Sequence, residues 1–340
     1  MFDFAASGRA GADRIRYIGR RHFMTDITSI GEILIDLTQT GVNGAGVPVF
    51  AANPGGAPAN LAVAASRLGA KTAFLGKVGQ DGFGSYLRQV LEENGVDTGG
   101  LHSGSQPTSM AIVSVDGTGE RSFRFLRSAD RDISAEEVDE EQVLNSRILH
   151  FGSVSLTAGP SRSATIFAAR AARHGGRLVS YDPNYRPALW ASQAEAAEWM
   201  SIPLSLVDIV KLSEEELPLL TGTTDPEEGS RILEEGGVRL VLLTLGSAGC
   251  YARWQGEGLQ VPGVPVKTAD TNGAGDTFLG AVLSRLCGRG ERPLEGLTLA
   301  ELLEILTFAN RAAALTCSRS GAIPAMPTLA ELSGEAACPV

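Results

Sequence analysis

A glycine-rich turn carries the carboxylate of Asp276 to the start of an apolar run. Residues 270–276 read Asp-Thr-Asn-Gly-Ala-Gly-Asp, and apolar residues then repeat at helical spacing, which predicts a loop that opens a helix. Glycines let the backbone approach a ligand, and the unpaired N–H groups and dipole of a first helical turn favour an anion. We therefore expect Gly273, Ala274 and Gly275 to form an anion hole for a phosphoryl group.

Asp276 itself is the predicted catalytic base. Phosphoryl transfer needs mainly positioning, charge stabilisation and one group that takes the proton of the attacking hydroxyl. A dinucleotide-binding turn is disfavoured because Phe278 stands where that motif has glycine or alanine. Neither Lys71 nor Lys77 lies between a glycine and a serine or threonine, as a Walker loop requires. Taken alone, the loop still allows an ordinary helix entry with an acidic N-cap.

A second glycine turn, Gly55-Gly56, precedes another helical pattern and would let a small sugar approach the backbone. Asn60 follows it and offers both a donor and acceptors to a polyol. Upstream, residues 27–36 predict one buried strand that ends on Asp36. An ionised carboxylate only accepts hydrogen bonds, so Asp36 suits two neighbouring sugar hydroxyls. Together these residues predict a substrate pocket for a polyol.

Apolar runs alternate with helical patterns between these motifs. Strands are predicted at residues 72–75, 148–151, 178–181, 209–212 and 240–245, and helices at 59–68, 83–94, 162–174, 194–200 and 226–235. This alternation predicts an α/β fold with a mainly parallel sheet and helices on both faces. Ligands bind at the carboxyl ends of strands in such sheets, where Asp36, Asp182 and the 270–276 loop are expected to lie.

Two stretches interrupt the alternation, at about residues 37–54 and 107–128, and each contains short segments around turn residues. They predict hairpins that form a small antiparallel sheet. Such a sheet would lie over the strand ends as a lid that excludes water on closure. An extension of the edge of the main sheet is the alternative.

Composition limits the classes of function. The net charge is −10 and no basic stripe is present, which argues against a nucleic-acid partner. No apolar run has the length of a membrane span, so no membrane partner is expected. The four cysteines show no paired spacing and predict reduced thiols in a cytoplasmic protein. The four histidines form no zinc-binding pair.

The chain is predicted to divide into three parts. Residues 1–24 contain several arginines without a secretory apolar stretch, and predict a disordered extension or an over-called start, since Met24 directly precedes the first strand. A transit peptide is the alternative interpretation. Residues 25–330 would form the domain that carries the motifs, and residues 331–340 a tail.

The two glycine motifs, in this order and with Asp36 upstream, resemble the pfkB-type (ribokinase-like) carbohydrate kinases over nearly all of residues 26–328. The stretches at residues 76–84, 180–186, 211–216 and 321–327 look most like those of fructokinases. The resemblance implies a three-layer sandwich with a β lid, and transfer of the γ-phosphate of ATP to a primary hydroxyl of a ketose. Fructose is the first choice and 2-keto-3-deoxygluconate the alternative. The alternative that is not an enzyme is a sugar-binding sensor that has lost catalysis.

The resemblance also implies contacts for nucleotide and metal ions. Asn184 and Arg186 would face the sugar or the phosphates, and the nucleotide would lie against Lys211, Ser213, Thr244, Gly246, Ser247 and Asn310. Glu216 would act on magnesium through water, although Ser213 replaces the asparagine that many relatives carry. A monovalent cation, potassium, would lie among Asp270, Asn272, Thr316, Arg319 and Gly321. Pairing of two subunits through the lid would give a homodimer.

Overall fold

Short apolar runs form most strands of the structure, a computed structural model that describes residues 25–115, 121–157 and 159–334. In chain order the strands are β1 (Thr25–Ile30), β2 (Leu34–Val42), β3 (Pro48–Gly55), β4 (Thr72–Gly79), β5 (Val96–Asp97), β6 (Leu101–Gly104), β7 (Met110–Val115), β8 (Arg121–Leu126), β9 (Ser146–Gly152), β10 (Leu178–Asp182), β11 (Ile209–Ser213), β12 (Leu240–Thr244), β13 (Gly249–Trp254) and β14 (Glu257–Pro262).

The helices follow the predicted apolar periodicity closely where a prediction was made. They are α1 (Ala57–Arg67), α2 (Gly82–Glu93), α3 (Glu140–Leu144), α4 (Gly159–His174), α5 (Gln193–Ser201), α6 (Leu217–Thr221), α7 (Pro226–Glu235), α8 (Ala274–Cys287), α9 (Leu299–Cys317) and α10 (Leu329–Ser333). Among the described residues, no helix combines the length and the apolar character that a bilayer crossing demands.

The main sheet is mostly parallel, as predicted. Its strands lie in the order β14-β13-β12-β11-β10-β9-β1-β4-β5, and β6 also pairs with β4. Among the described strands of this sheet, only β13 and β14 join in antiparallel register. The carboxyl ends of the parallel strands therefore meet along one edge, which is where ligands bind in sheets of this kind.

Both faces of this sheet are covered by helices because successive residues of its strands point to opposite sides. Ile148 packs with Leu61 of α1, Leu279 of α8 and Leu306 of α9, whereas its neighbour Leu149 packs on the other face. That second layer contains Ala168 of α4, Met200 of α5 and Leu233 of α7. The three-layer α/β fold predicted from the sequence is confirmed.

A second sheet, the lid sheet, has the strand order β3-β2-β7-β8. It is separate from the main sheet, so the predicted edge extension is wrong and the predicted small sheet is confirmed. Its β2–β7 pair is parallel, however, and only the two hairpin pairs are antiparallel. The predicted turn at residues 116–119 lies outside the described residues.

The prediction of one strand over residues 27–36 is wrong, because the chain leaves the main sheet after Ile30 and enters the lid sheet at Leu34. Gly31 has a φ of 151°, and a Cβ there would lie 2.7 Å from Cγ of Pro58, so glycine permits this crossing. Both halves of the stretch are apolar and buried, which hides the break from a periodicity argument. Asp36 therefore belongs to the lid sheet and not to the main sheet.

The predicted extension, residues 1–24, and residues 335–340 of the predicted tail lie outside the described residues. At the other predicted boundary, α10 continues through residue 330 to Ser333. Leu332 is buried there, and Glu331 accepts a hydrogen bond from Arg319 at 2.6 Å. The helix therefore packs on the main body across that boundary.

Candidate active site

The glycine loop predicted from the sequence connects β14 to α8. Gly273 is the N-cap residue, with φ 76°, and a Cβ there would lie 3.0 Å from Cβ of Ala322. No side chain caps α8, so the N–H groups of its first turn point to the space in front of the helix. The N–H of Ala274 differs, because it donates to the carbonyl of Thr271 at 3.3 Å.

Asp276 lies in the first turn of α8 and is 8% exposed. The side-chain amide of Asn60 donates to its Oδ2 at 2.9 Å, and the amide of Asn184 donates to Oδ1 at 3.4 Å. Burial raises the pKa of Asp276, while the hydrogen bond from Asn60 and the charges of Lys211 and Arg186 oppose that rise. The carboxylate is thus held in place by two amides at the carboxyl edge of the sheet.

Asp276 opens into a cavity of about 630 Å³ between the lid sheet and the main body, here called the acidic cavity. Four of its wall residues are acids: Glu32, Asp36, Asp270 and Asp276. The cationic wall residues are Arg186 and Lys211. The cavity is further lined by Gly56, Asn60, Asn184, Asn272, Gly273, Gly275 and Gly321. Asp36 and Asn60 therefore share one space with Asp276, as the sequence predicted for a polyol pocket.

Asp36 reaches this cavity from the lid sheet. Burial raises its pKa to about 6, and Arg186 opposes the rise. Gly55 leaves room for it, since a Cβ on Gly55 would lie 2.3 Å from Oδ2 of Asp36. Gly55 is therefore needed for the fit of Asp36, while Gly56 contributes to the wall itself. Oδ1 of Asn60 is buried and has no hydrogen-bond partner in the described part of the chain, which leaves an acceptor for a hydroxyl.

A second cavity of about 680 Å³, here called the apolar cavity, lies on the other side of the loop. Its walls include Val264, Val266, Phe278, Ala313 and Ala314. Four of the predicted nucleotide contacts also line it: Thr244, Gly246, Ser247 and Asn310. Apolar walls with a few polar groups suit a flat aromatic base.

Thr271 and Gly275 belong to the walls of both cavities. The glycine loop is thus the shared boundary between an acidic space and an apolar space. A molecule that extends from the apolar cavity past the loop would bring its end to Asp276. This arrangement allows a group to pass from a ligand in one cavity to a ligand in the other.

Lys211, a predicted contact of the nucleotide, lies beside the glycine loop. It lines the acidic cavity and is not among the described residues around the apolar cavity. Its Nζ donates to Oδ2 of Asp182 at 3.0 Å, because β10 and β11 are neighbours and end at the same edge. Its predicted contact with the nucleotide stays a prediction.

Ser213 and Glu216 are not among the described residues that line either cavity. The backbone N–H of Tyr185 donates to Oε1 of Glu216 at 2.6 Å, and that of Ser213 donates to Oε2 at 2.8 Å. Glu216 thereby joins the segments that follow β10 and β11. Each oxygen thus accepts one backbone N–H, and the contact of Glu216 with magnesium through water stays a prediction.

The predicted cation ligands gather around Asp270. Its Oδ1 accepts the N–H of Asn272 at 3.1 Å, and its Oδ2 accepts the N–H of Gly321 at 3.2 Å. Thr316 lies nearby in α9, where its hydroxyl donates to Thr277 at 3.1 Å. The side chain of Arg319 turns away to Glu331, so only its carbonyl is left for the predicted role.

Two buried acids of the acidic cavity region are absent from the predicted site residues. Burial raises the pKa of Glu32 to about 7, and its Oε1 accepts the N–H of Ala57 at 3.2 Å. Burial also raises the pKa of Asp182 to about 7, and Lys211 opposes that rise. Glu32 lies inside an otherwise apolar run and Asp182 at the end of one, and an acid in such a place is the sequence signal that indicates such residues.

The chain is similar in sequence to known carbohydrate kinases. A sequence profile described as pfkB family carbohydrate kinase matches residues 24–329. Fructokinase-1 of Zea mays is 43% identical over 316 residues, which cover 90% of this chain and 96% of the maize protein.

Solved structures agree with the sequence relatives. A fructokinase with bound ATP from Xylella fastidiosa has a TM-score of 0.85 and 34% identity, covering 91% of this chain and 97% of that one. A fructokinase double mutant from Vibrio cholerae O395, bound to fructose, ADP and potassium ion, has a TM-score of 0.80 and 35% identity, covering 93% and 99%. The chain belongs to the pfkB family of carbohydrate kinases.

Proposed function

We propose that the protein is an ATP-dependent fructokinase that transfers the γ-phosphate of ATP to the 6-hydroxyl of fructose. The observation that carries this proposal is the loop shared by the two cavities, with Asp276 at their boundary. The similarity to fructokinases of maize, Xylella and Vibrio supports fructose as the acceptor.

Each cavity has one role in the proposed reaction. Fructose occupies the acidic cavity, where Asp36 accepts hydrogen bonds from two hydroxyls and Asn60 offers its free oxygen. ATP occupies the apolar cavity with its phosphates directed to the loop. Asp276 takes the proton of the attacking hydroxyl, and the N–H groups of Gly273 and Gly275 stabilise the charge on the phosphoryl oxygens.

Magnesium would bind mainly to the phosphates of ATP and neutralise part of their charge. Both oxygens of Glu216 accept backbone N–H groups, and we propose that Glu216 contacts magnesium through water. Potassium would lie beside the Asp270 carboxylate, which the N–H groups of Asn272 and Gly321 hold in place, and we propose that it orders the loop. Unchanged activity when potassium is replaced by a bulky organic cation at equal ionic strength would remove the potassium proposal.

A 2-keto-3-deoxygluconate kinase is less well supported because that substrate carries a carboxylate. The acidic cavity holds four acids against Arg186 and Lys211, so a second anion beside the phosphates is unfavourable there. A hydroxyl-rich neutral ketose has the matching chemistry.

A coupled assay that detects ADP formation tests the proposed function directly. Fructose, ribose, 2-keto-3-deoxygluconate, adenosine and mannose are compared at equal concentration, and fructose is expected to give the highest kcat/KM. If none of the five is phosphorylated while fructose still binds, the protein is a sugar sensor and the proposal fails. If 2-keto-3-deoxygluconate is preferred, the assignment of the substrate fails and the kinase assignment stands.

We also propose a homodimer formed through the outer face of the lid sheet. Asp36, Thr38 and Asn53 face the acidic cavity, and the alternation along a strand turns their neighbours outward. Phe50 and Leu126 alternate with the cavity-lining Ala51 and Phe125, and both are exposed on this outer side. Light scattering on the wild type and on Phe50→Glu tests it: a wild-type monomer contradicts the proposal.

A cytoplasmic location is proposed from the cysteines. Cys250, Cys287 and Cys317 are unpaired in the described chain, which agrees with a reducing compartment. Detection of the protein in a secreted fraction would contradict this proposal.

A further inference from the structure

The inner face of the lid sheet carries a row of side chains that runs across its four strands. In the register of the sheet, Asp36 on β2 lies opposite Asn53 on β3 and beside Ala111 on β7, and Ala111 lies opposite Phe125 on β8. Side chains paired in this way point to the same face of a sheet. Asp36, Asn53 and Phe125 accordingly all line the acidic cavity. The row therefore forms the lid side of the proposed sugar site.

The two ends of this row differ in polarity. Ala111 and Phe125 present only apolar groups, so a sugar hydroxyl gains no hydrogen bond on that side of Asp36. On the other side, the amide of Asn53 offers both a donor and an acceptor, with its Cβ about 4.5–5.5 Å from that of Asp36. An ionised carboxylate only accepts hydrogen bonds, so the two side chains have complementary chemistry. A hydroxyl beyond those bound by Asp36 is best served at Asn53.

The amide of Asn53 is available to a ligand. Its one hydrogen bond to the described part of the chain donates to Oγ1 of Thr38 at 3.4 Å, which is long for an N–H···O contact. Asn53 is also only half-buried. Thr38 and Thr40 line the same cavity, but they lie further along β2 than Asp36. Asn53 therefore keeps one N–H and its carbonyl oxygen for a ligand directly beside Asp36.

We infer that Asn53 is a specificity-determining residue of the sugar site, whose amide hydrogen-bonds a ketose hydroxyl next to the two that Asp36 binds. This inference rests on the proposed function. With the 6-hydroxyl of fructose at Asp276, the furanose ring form leaves the hydroxyls on C1, C2, C3 and C4. Asp36 binds two of them, and Asn53 binds a third. An analogue that lacks this third hydroxyl is disfavoured because the amide then loses its partner.

A structural role in the lid sheet is the competing explanation, since Asn53 bonds Thr38 across the β2–β3 pair. The two explanations differ in the ligands that they affect. A distorted lid weakens the binding of fructose and of every analogue by the same factor, whereas a lost contact weakens only the ligands that carry the contacted hydroxyl. Gln39→Ala is the matched control. Gln39 is a polar residue of the same strand pair, opposite Phe50, and is not among the described residues that line the acidic cavity.

The test measures kcat, the KM for each sugar and Tm for wild type, Asn53→Ala and Gln39→Ala. The sugars are fructose and four analogues that each lack one hydroxyl: 1-deoxyfructose, 2,5-anhydromannitol, 3-deoxyfructose and 4-deoxyfructose. For Asn53→Ala, the KM for fructose is expected to rise about 3- to 10-fold with kcat unchanged, as on loss of a neutral hydrogen bond. For one of the four analogues, the KM should be the same in Asn53→Ala and in wild type. Gln39→Ala is expected to leave every KM unchanged.

Two results overturn the inference. One is an unchanged KM for fructose in a folded Asn53→Ala variant. The other is an equal rise of the KM for fructose and for all four analogues, which shows that the role of Asn53 is structural. Asn53→Thr replaces Asn53→Ala if that variant does not fold, because threonine suits a strand better than alanine does.

These outcomes are separate from failure of the proposed function. Wild-type protein that binds fructose and phosphorylates no sugar contradicts the function alone, and the same comparison is then made with Kd values from calorimetry. Active wild-type protein beside an Asn53→Ala variant with the wild-type KM for fructose contradicts the inference alone.

Discussion

The two cavities are similar in volume and opposite in character. The apolar cavity is built by the main body alone, from the ends of β12 and β13, the loop and the helices α8 and α9. The acidic cavity needs both sheets, because Asp36, Thr38 and Asn53 reach it from the lid sheet. The proposed nucleotide site is therefore formed by the main body alone, while the proposed sugar site is completed only where two separate sheets meet.

The largest expected effect is at the shared boundary. Asp276→Asn keeps the shape of the side chain and removes the base, so kcat should fall about 10²- to 10⁴-fold. Binding of fructose and of ATP, measured by calorimetry, should stay near the wild-type values. The control is Asp208→Asn, a buried aspartate at the start of β11 that pairs with Arg173, which should change stability and not turnover. Unaltered turnover in Asp276→Asn would refute the role of base.

The next largest effect is expected from a substitution that disturbs the acidic cavity and leaves the apolar cavity intact. Asp36→Asn removes a charged acceptor for sugar hydroxyls, and the KM for fructose is expected to rise about 10- to 100-fold, equivalent to about 1.5–3 kcal/mol. The KM for ATP should not change, because Asp36 is not among the described residues of the apolar cavity. An equal rise in both KM values would mean that the cavities are not independent.

The reciprocal change is made on the apolar side. Ala313 is half-buried in α9 and lines the apolar cavity, so Ala313→Leu adds bulk where the base is expected. Overpacking of about 1–2 kcal/mol should raise the KM for ATP roughly tenfold and leave the KM for fructose unchanged. Steady-state kinetics with each substrate varied in turn provides the measurement. If Ala313→Leu instead raises only the KM for fructose, fructose would be assigned to the apolar cavity and ATP to the acidic cavity.

The smallest expected effect concerns stability and pH. Glu32 has a pKa raised from 4.5 to about 7 by burial, so the folded chain binds a proton that the unfolded chain has released. Its contribution is fully present below the unfolded pKa and is lost as the pH rises through about 7. Tm should therefore decline between about pH 5 and about pH 8, and less steeply in Glu32→Gln.

The exposed acid substitution Glu93→Gln is the control for that experiment and should leave the decline unchanged. Parallel pH profiles for wild type and Glu32→Gln would show that the buried acid is not linked to stability.

Local motifs were predictable from the sequence and long-range neighbours were not. The loop at residues 270–276 combines glycines with an acid at a strand-to-helix junction, and each of these signals is local. The contact of Lys211 with Asp182 depends on the adjacency of β10 and β11, which alternating strands and helices do not specify. The crossing at Gly31 was hidden because apolar residues continue on both sides of it.

The predicted roles of individual residues show the same difference between local motifs and long-range neighbours. Asp36, Asn60 and Asp276 were expected in one pocket, and the structure brings them into one cavity. The family resemblance implies roles for Ser213 and Glu216, and neither is among the described residues that line the two cavities. A position in a motif indicates a neighbourhood, but the orientation of a side chain depends on the backbone groups that it meets.

The place of Asp36 on the lid sheet has a consequence for how such a protein diversifies. The side chain proposed to bind the acceptor alcohol and the side chain proposed to activate it belong to different layers of the fold. Substitutions in the hairpins can retune which polyol is chosen without disturbing the phosphate chemistry beneath. Substrate choice and reactivity are in this sense modular, and directed evolution toward new acceptors would begin with β2 and β3.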